Sequence, residues 1–179
     1  DVLKFMKKDH DLAQAYQAID RLHEAGLIYD AHIMTGVAGK GRGMENAEAL
    51  AQFLNRTNPA HVVNFSMFLH KEVPLYQDIR QGTLVPADEL ETIREEYHLI
   101  ERIAPEKAGA NILYDGFHDF IHVRVRGHLP GDKEKMLAKL NGIIQEYEGK
   151  EPVYSFVQGE CPDLEYCDDG KAVWDMDRK

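Results

Sequence analysis

The chain lacks the features that would mark a membrane protein, a secreted protein or a nucleic-acid binder. No apolar run approaches the about 20 residues that span a bilayer. The N-terminal Asp1-Val2-Leu3-Lys4-Phe5-Met6-Lys7-Lys8 is not followed by the apolar segment of a signal peptide. Cations are in the minority: 21 Lys and Arg stand against 31 Asp and Glu, a formal net charge of −10. That balance argues against nonspecific binding to DNA or RNA, which needs clustered cations to neutralise phosphates. Only two cysteines occur, Cys161 and Cys167. Close spacing and the missing signal peptide read as cytosolic thiols rather than a disulfide. Gly-Lys-Ser/Thr at P-loop spacing is absent, and neither Thr35 nor Ser66 stands in a Gly-x-Ser-x-Gly context. A cytoplasmic protein with no membrane and no nucleic-acid partner is expected.

What is present is ordinary for a soluble globular chain. Of 179 residues, 44% are apolar and 29% charged. This length suits one domain, or one domain with an appendage. A first residue other than Met suggests an excerpt or a processed chain.

Asp11 and Gln14 have the spacing of a capping box, and Leu12, Ala15, Ile19 and Leu22 share one helical face up to Gly26. Residues 28–35 form a nearly continuous apolar run, as a parallel strand covered on both faces requires. A glycine loop, Gly36-Val37-Ala38-Gly39-Lys40-Gly41-Arg42-Gly43, follows. A helix over residues 45–58 ends at Asn58-Pro59, and residues 61–68 read as a second strand. Pro74 opens a short helix that stops near Gly82. Residues 86–103 form an amphipathic helix with Leu90, Ile93, Tyr97 and Ile100 as its apolar stripe. After a connector over residues 104–109, residues 120–128 alternate as a half-exposed strand. Asp132 then caps a helix carrying Met136, Leu140, Ile144 and Tyr147, which Gly149 stops. Residues 158–179 hold seven acidic and three basic residues and no sustained periodicity, so a loose tail is expected.

Three groups of residues invite a chemical reading. The glycine loop offers N–H groups to a phosphate, against a plain flexible connection. His118, His122 and His128 fall on one face of the alternating strand with Arg124 and Arg126. Three imidazoles suit zinc, but the arginines repel a cation, so a solvated face or a contact to an anion is the better reading. Asp88, Glu89, Glu91, Glu95 and Glu96 read as the solvated outer face of their helix rather than as paired catalytic carboxylates.

The order helix–strand–glycine loop–helix–Asn-Pro–strand–Pro-Leu-Tyr–Gly–acidic helix resembles the later half of a radical S-adenosylmethionine (SAM) barrel. The segments carrying the resemblance are Ile33-Met34-Thr35-Gly36-Val37-Ala38-Gly39-Lys40, Asn58-Pro59 and Lys71-Glu72-Val73-Pro74-Leu75-Tyr76. The family's Pro-Gly-Thr-Pro is reduced here to Glu-Val-Pro. The resemblance implies an α/β fold: a partial, TIM-like barrel over residues 1–104 contributing two parallel strands and four helices. Residues 105–150 form an α+β strand-helix extension and 151–179 an acidic tail. By position it implicates Ile33, Gly36, Met67 and Phe68 in binding SAM. The family's three cluster cysteines are missing, and two cysteines cannot replace them. The implied function is therefore a fragment of an iron–sulfur oxidoreductase whose parent uses SAM and a [4Fe–4S] cluster. Its partner would be the remainder of the barrel, and the fragment alone would be inactive, bind neither group and self-associate through open strand edges. The alternative is a noncatalytic α/β module holding a small anion.

Overall fold

Local signals act where the sequence places them. In the computed structural model, which describes residues 2–156, Asp11 accepts the Gln14 N–H and Gln14 accepts the Asp11 N–H, both at 2.8 Å. This reciprocal cap opens helix α2 (Leu12–Glu24), behind a short helix α1 (Val2–Phe5). Strand β1 (Asp30–Thr35), helix α3 (Gly43–Thr57) and strand β2 (His61–Ser66) follow. Left-handed Asn58 and then Pro59 stop α3. As the two apolar runs predict, β1 and β2 are adjacent and parallel, with Thr35 opposite Ser66. Pro74 precedes helix α4 (Leu75–Arg80).

The second half departs from the sequence reading. Helix α5 (Glu89–Arg102) begins at Glu89 rather than Pro86, because the Asp88 carboxylate accepts the Glu91 N–H at 2.8 Å and caps it there. Beyond the connector lies strand β3 (Ile112–His118), which the apolar pattern does not reveal. A 3-10 turn (Asp119–Ile121), strand β4 (Val123–Leu129) and helix α6 (Lys133–Tyr147) complete the described chain. Asp132 stands at the start of α6, yet its carboxylate accepts the His128 N–H at 2.8 Å instead of a first-turn N–H.

The architecture is thus α/β with an open sheet in the order β1-β2-β3-β4. Three strands are parallel where two were expected, and β4 runs antiparallel to β3. The expected pair of strands with both edges open is corrected accordingly: β3 covers the free edge of β2.

The two faces of this sheet differ. Paired residues in neighbouring strands share a face, so Ala31, Val62, Tyr114 and Gly127 form one row of the first face. This face packs against α3, α5 and α6 in a core that includes Leu54, Val62, Ile93, Leu99, Ile100, Ile112, Tyr114 and Leu140. Each such large side chain contributes about 1.5–3 kcal/mol on burial. The second face carries His32, Met34, His61, Val63, Phe65, Leu113, Asp115, Phe117, Arg124, Arg126 and His128. Val63, Phe65, Leu113 and Phe117 there are only half-buried and join neither hydrophobic cluster. A parallel sheet with helices on both faces, the expectation from the continuous apolar runs, is therefore not what the described residues form.

A second cluster, Met67, Leu69, Tyr76, Ile79, Leu84, Tyr154 and Phe156, with Met34 and Val37 against it, closes the C-terminal ends of β1 and β2. Residues 151–156 are fastened there: the Leu69 N–H donates to the Ser155 carbonyl at 2.7 Å and the Glu89 N–H to the Val153 carbonyl at 2.8 Å. Residues 158–179, with Cys161 and Cys167, lie outside the described residues. Among the described residues no helix is long and apolar enough to cross a membrane.

Candidate functional site

Helix α5 aims carboxylates at the sheet. Glu89, Ile93, Glu96 and Ile100 recur at helical spacing, so a face that buries the two isoleucines also buries the two glutamates. Glu89, Glu95 and Glu96 are all buried, at 1%, 1% and 0% exposure. The reading of this set as a solvated outer face holds neither for them nor fully for Asp88 and Glu91, which are half-buried. The signal was available: acidic residues lying in register with Ile93 and Ile100 cannot face water while those residues face the core.

The three carboxylates grip three strand ends. His118, the last residue of β3, places Nδ1 3.0 Å from Glu89 Oε2 and Nε2 3.0 Å from Glu96 Oε2, with no side chain of the three exposed. Glu96 also accepts from Asn64 Nδ2 at 3.1 Å and from the Tyr114 hydroxyl at 2.9 Å. Glu89 accepts from the hydroxyls of Ser66, at 3.2 Å, and of Ser155. Glu95 accepts the Gly36 N–H at 2.9 Å and Asn46 Nδ2 at 2.6 Å. Each of the three buried carboxylates accepts at least two hydrogen bonds, as burial of charge demands, while Asn64 Oδ1 beside them has no partner among the described residues.

Its protonation follows from these contacts. Burial alone would depress the His118 imidazole, but hydrogen bonds and attraction from Glu89 and Glu96 outweigh it and raise it to about 10. Burial would raise Glu89, yet the contacts to His118, Ser155 and Ser66 hold it below the ordinary 4.5. Glu95 is not hydrogen-bonded to His118, and burial raises it to about 7 against the donors Asn46 and Gly36 and the weaker pull of His118. Burial first, then Glu96, keeps the Tyr114 hydroxyl protonated well above its usual range. At neutral pH the centre holds the His118 imidazolium against the Glu89 carboxylate, with Glu96 bonded to its other ring nitrogen. Enclosed as it is, it cannot touch a substrate, and its chemistry is positioning.

What it positions is the glycine loop. Gly36 has φ +83°, and a Cβ built on it would lie 2.9 Å from Thr92 Cγ2, so α5 packs directly on this backbone. Besides the Glu95 bond, the Gly39 N–H donates to the Gly36 carbonyl at 3.0 Å and the Lys40 N–H to the Val85 carbonyl at 2.8 Å. The Gly41 N–H donates to Glu91. The loop is tied down rather than flexible. Five N–H groups of the loop, those of Gly36, Gly39, Lys40, Gly41 and Arg42, are thus spent on protein acceptors, which leaves few for a phosphate. A pocket of about 230 Å³, lined by Val2, Phe5, Val37, Ala38, Gly39, Lys40, Arg42, Thr83, Leu84 and Val85, opens beside it.

The site residues inferred from sequence separate. Gly36 and Met67 meet at the ends of β1 and β2, where a Cβ on Gly36 would touch the Met67 Cβ at 3.4 Å. Phe68 follows, 55% exposed. Ile33 packs into the helix-covered core, and its neighbour Met34 takes the other face. The three histidines do not share a strand face. His118 is buried against α5, His122 sits in a left-handed turn and His128 is exposed on β4. Among the described residues no group of His, Cys, Asp and Glu is arranged to hold a metal ion. No protein-family profile, curated protein or solved structure matches the chain.

Proposed function

We propose that this chain is the later part of a radical SAM barrel, supplying strands and a cofactor-side loop to an iron–sulfur oxidoreductase. The observation that carries the reading is the one-sided sheet. A doubly wound sheet hides both faces under helices, whereas a barrel keeps helices outside and leaves the other face as its interior. Here β1, β2 and β3 are parallel with helices on one side. The outer edge of β1, unpaired among the described residues, is where a preceding barrel strand would add. Barrel enzymes carry their sites at the C-terminal strand ends, which is where α5 fixes Gly36, Ser66 and His118.

The described residues contain no cysteine, so they do not fit a [4Fe–4S] cluster, and no step is assigned to one here. They fit an adenine better. Phe68 is 55% exposed, and half-buried Met34 packs against the cluster that holds Met67, giving an apolar floor next to the glycine loop. In this reading Gly36, Met67 and Phe68 keep their positional role, and Met34 replaces the side chain of Ile33. The chemistry of SAM cleavage belongs to the cofactors, and the chain contributes position and electrostatics.

The coding sequence upstream of Asp1 tests the proposal. A Cys-x-x-x-Cys-x-x-Cys motif is expected about a hundred residues earlier, as half of a barrel of about 250 residues requires. An initiating codon next to Asp1, or an upstream region without that motif, would overturn it.

A further inference from the structure

The sheet face that no helix covers among the described residues has a charged corner that the barrel reading leaves unused. Its residues form rows across the strands: Val63, Asp115 and Arg126 in one, Phe65, Phe117 and Arg124 in the next. The Phe65 and Phe117 rings stack at 5.3 Å, and the Arg124 guanidinium lies 4.8 Å over Phe117. Arg124 also holds Asp115 through two bonds, at 2.8 and 2.6 Å. Asp115, held by Arg124 below the usual carboxylate range, is only 6% exposed. Arg126 reaches the same carboxylate only at 3.7 Å and keeps 55% of its side chain open. One carboxylate thus serves two guanidiniums, and Arg126 holds the surplus positive charge. Nearby, the buried His61 Nε2 has no hydrogen-bond partner among the described residues. On a chain of net charge −10, this is a local inversion of sign beside a half-buried aromatic pair.

We propose that this face, centred on Arg126 and the Phe65–Phe117 pair, binds a small aromatic carboxylate or phosphate. The oxyanion pairs with the open N–H groups of Arg126, as guanidinium favours. The flat body of the ligand lies across Val63, in the row of Arg126, and against the edges of the Phe65 and Phe117 rings in the next row. Asp115 does not repel the anion strongly, because Arg124 neutralises it from beside. The inference deepens the barrel reading, in which the same face lines the interior and the ligand class is that of the substrate.

The test is a titration of the 179-residue chain with phenyl phosphate and, separately, inorganic phosphate, followed by ring-proton NMR of its histidines and phenylalanines. Phenyl phosphate is expected to bind saturably with a Kd of about 1 mM or tighter, and inorganic phosphate at least about fivefold more weakly, because it gains nothing from the ring. Arg126→Met is expected to weaken phenyl phosphate by about fivefold or more, with Arg126→Lys intermediate. Phe65→Leu should weaken phenyl phosphate alone. Arg42→Gln, remote from the face, should change nothing. Absence of saturation at about 20 mM, or equal binding by wild type and Arg126→Met, overturns the proposal. The titration needs neither cluster nor SAM, so its failure leaves the barrel reading standing, and the reverse holds too.

Discussion

His118 Nε2 lies 3.0 Å from Glu96 Oε2 with both side chains fully buried, and this pair ties the last residue of β3 to the middle of α5. Through Glu89 and Glu95, neighbours on the same helix, the tie extends to Ser66 of β2 and Gly36 after β1. One helix therefore sets the relative position of three strand ends.

Removing the cation from that arrangement is expected to be severe. His118→Gln leaves Glu89 and Glu96 facing each other without compensation. Breaking a buried pair in this way costs about 3–5 kcal/mol. Urea denaturation of the variant and the wild type measures it. A loss below about 1 kcal/mol would mean that the imidazolium is dispensable.

Stability is expected to peak on the acid side of neutrality. His118 is raised from 6.5 to about 10, so its contribution is complete below pH 6.5 and is lost as pH rises toward 10. Glu95, raised from 4.5 to about 7, gives a further decline across that lower interval as pH rises. Glu89 is lowered, so its contribution is present above 4.5 and fades as pH falls below it. The charged groups facing His118 are Glu89, Glu95 and Glu96 of α5, with the Tyr114 hydroxyl of β3 bonded to the same Glu96. Melting temperatures between about pH 5 and pH 9 should fall toward alkali in the wild type and much less in His118→Gln. An alkaline limb identical in both would refute this assignment.

Gly36→Ala meets two obstacles, a positive φ and the Thr92 methyl. A loss of about 1–3 kcal/mol is expected. Adding Thr92→Ser removes the offending Cγ2 and should restore part of it, with the conformational share remaining. No rescue in the double variant would place the whole cost in the backbone.

Ser155→Ala removes one donor to Glu89 and loosens residues 151–156 at the strand ends. About 1 kcal/mol of stability should go, together with faster hydrogen exchange at the Leu69 amide. Unchanged exchange at Leu69 would show that apolar contacts alone hold this segment.

The sequence made the first half of the fold legible because its signals are local. The Asp11–Gln14 box, Asn58-Pro59 and Pro74 each act within one turn, and the β1–α3–β2 unit follows from them. Strand β3 stayed hidden because Asp115, Gly116 and His118 interrupt its apolar run for reasons that lie elsewhere. Gly116 leaves no room for a Cβ beside the Glu96 carboxylate, His118 answers two glutamates, and Asp115 answers Arg124 across the sheet. Those partners are 9 to 29 residues away in sequence. For the same reason Glu89, Glu95 and Glu96 passed for solvent-facing residues: the spacing showed a shared face with Ile93 and Ile100, but not the cation that makes their burial tolerable.

The complete gene product, supplied anaerobically with iron and sulfide and carrying carbon-13-labelled methionine methyl groups, gives the most direct test of the barrel reading. Upon addition of SAM, the methyl resonances of Met34 and Met67, at the strand ends, are expected to shift. That of Met136, in the core between α6 and the sheet, should stay in place and serve as the internal control. SAM binding that moves neither Met34 nor Met67, or no SAM binding at all, would contradict the placement of these strands in a radical SAM barrel.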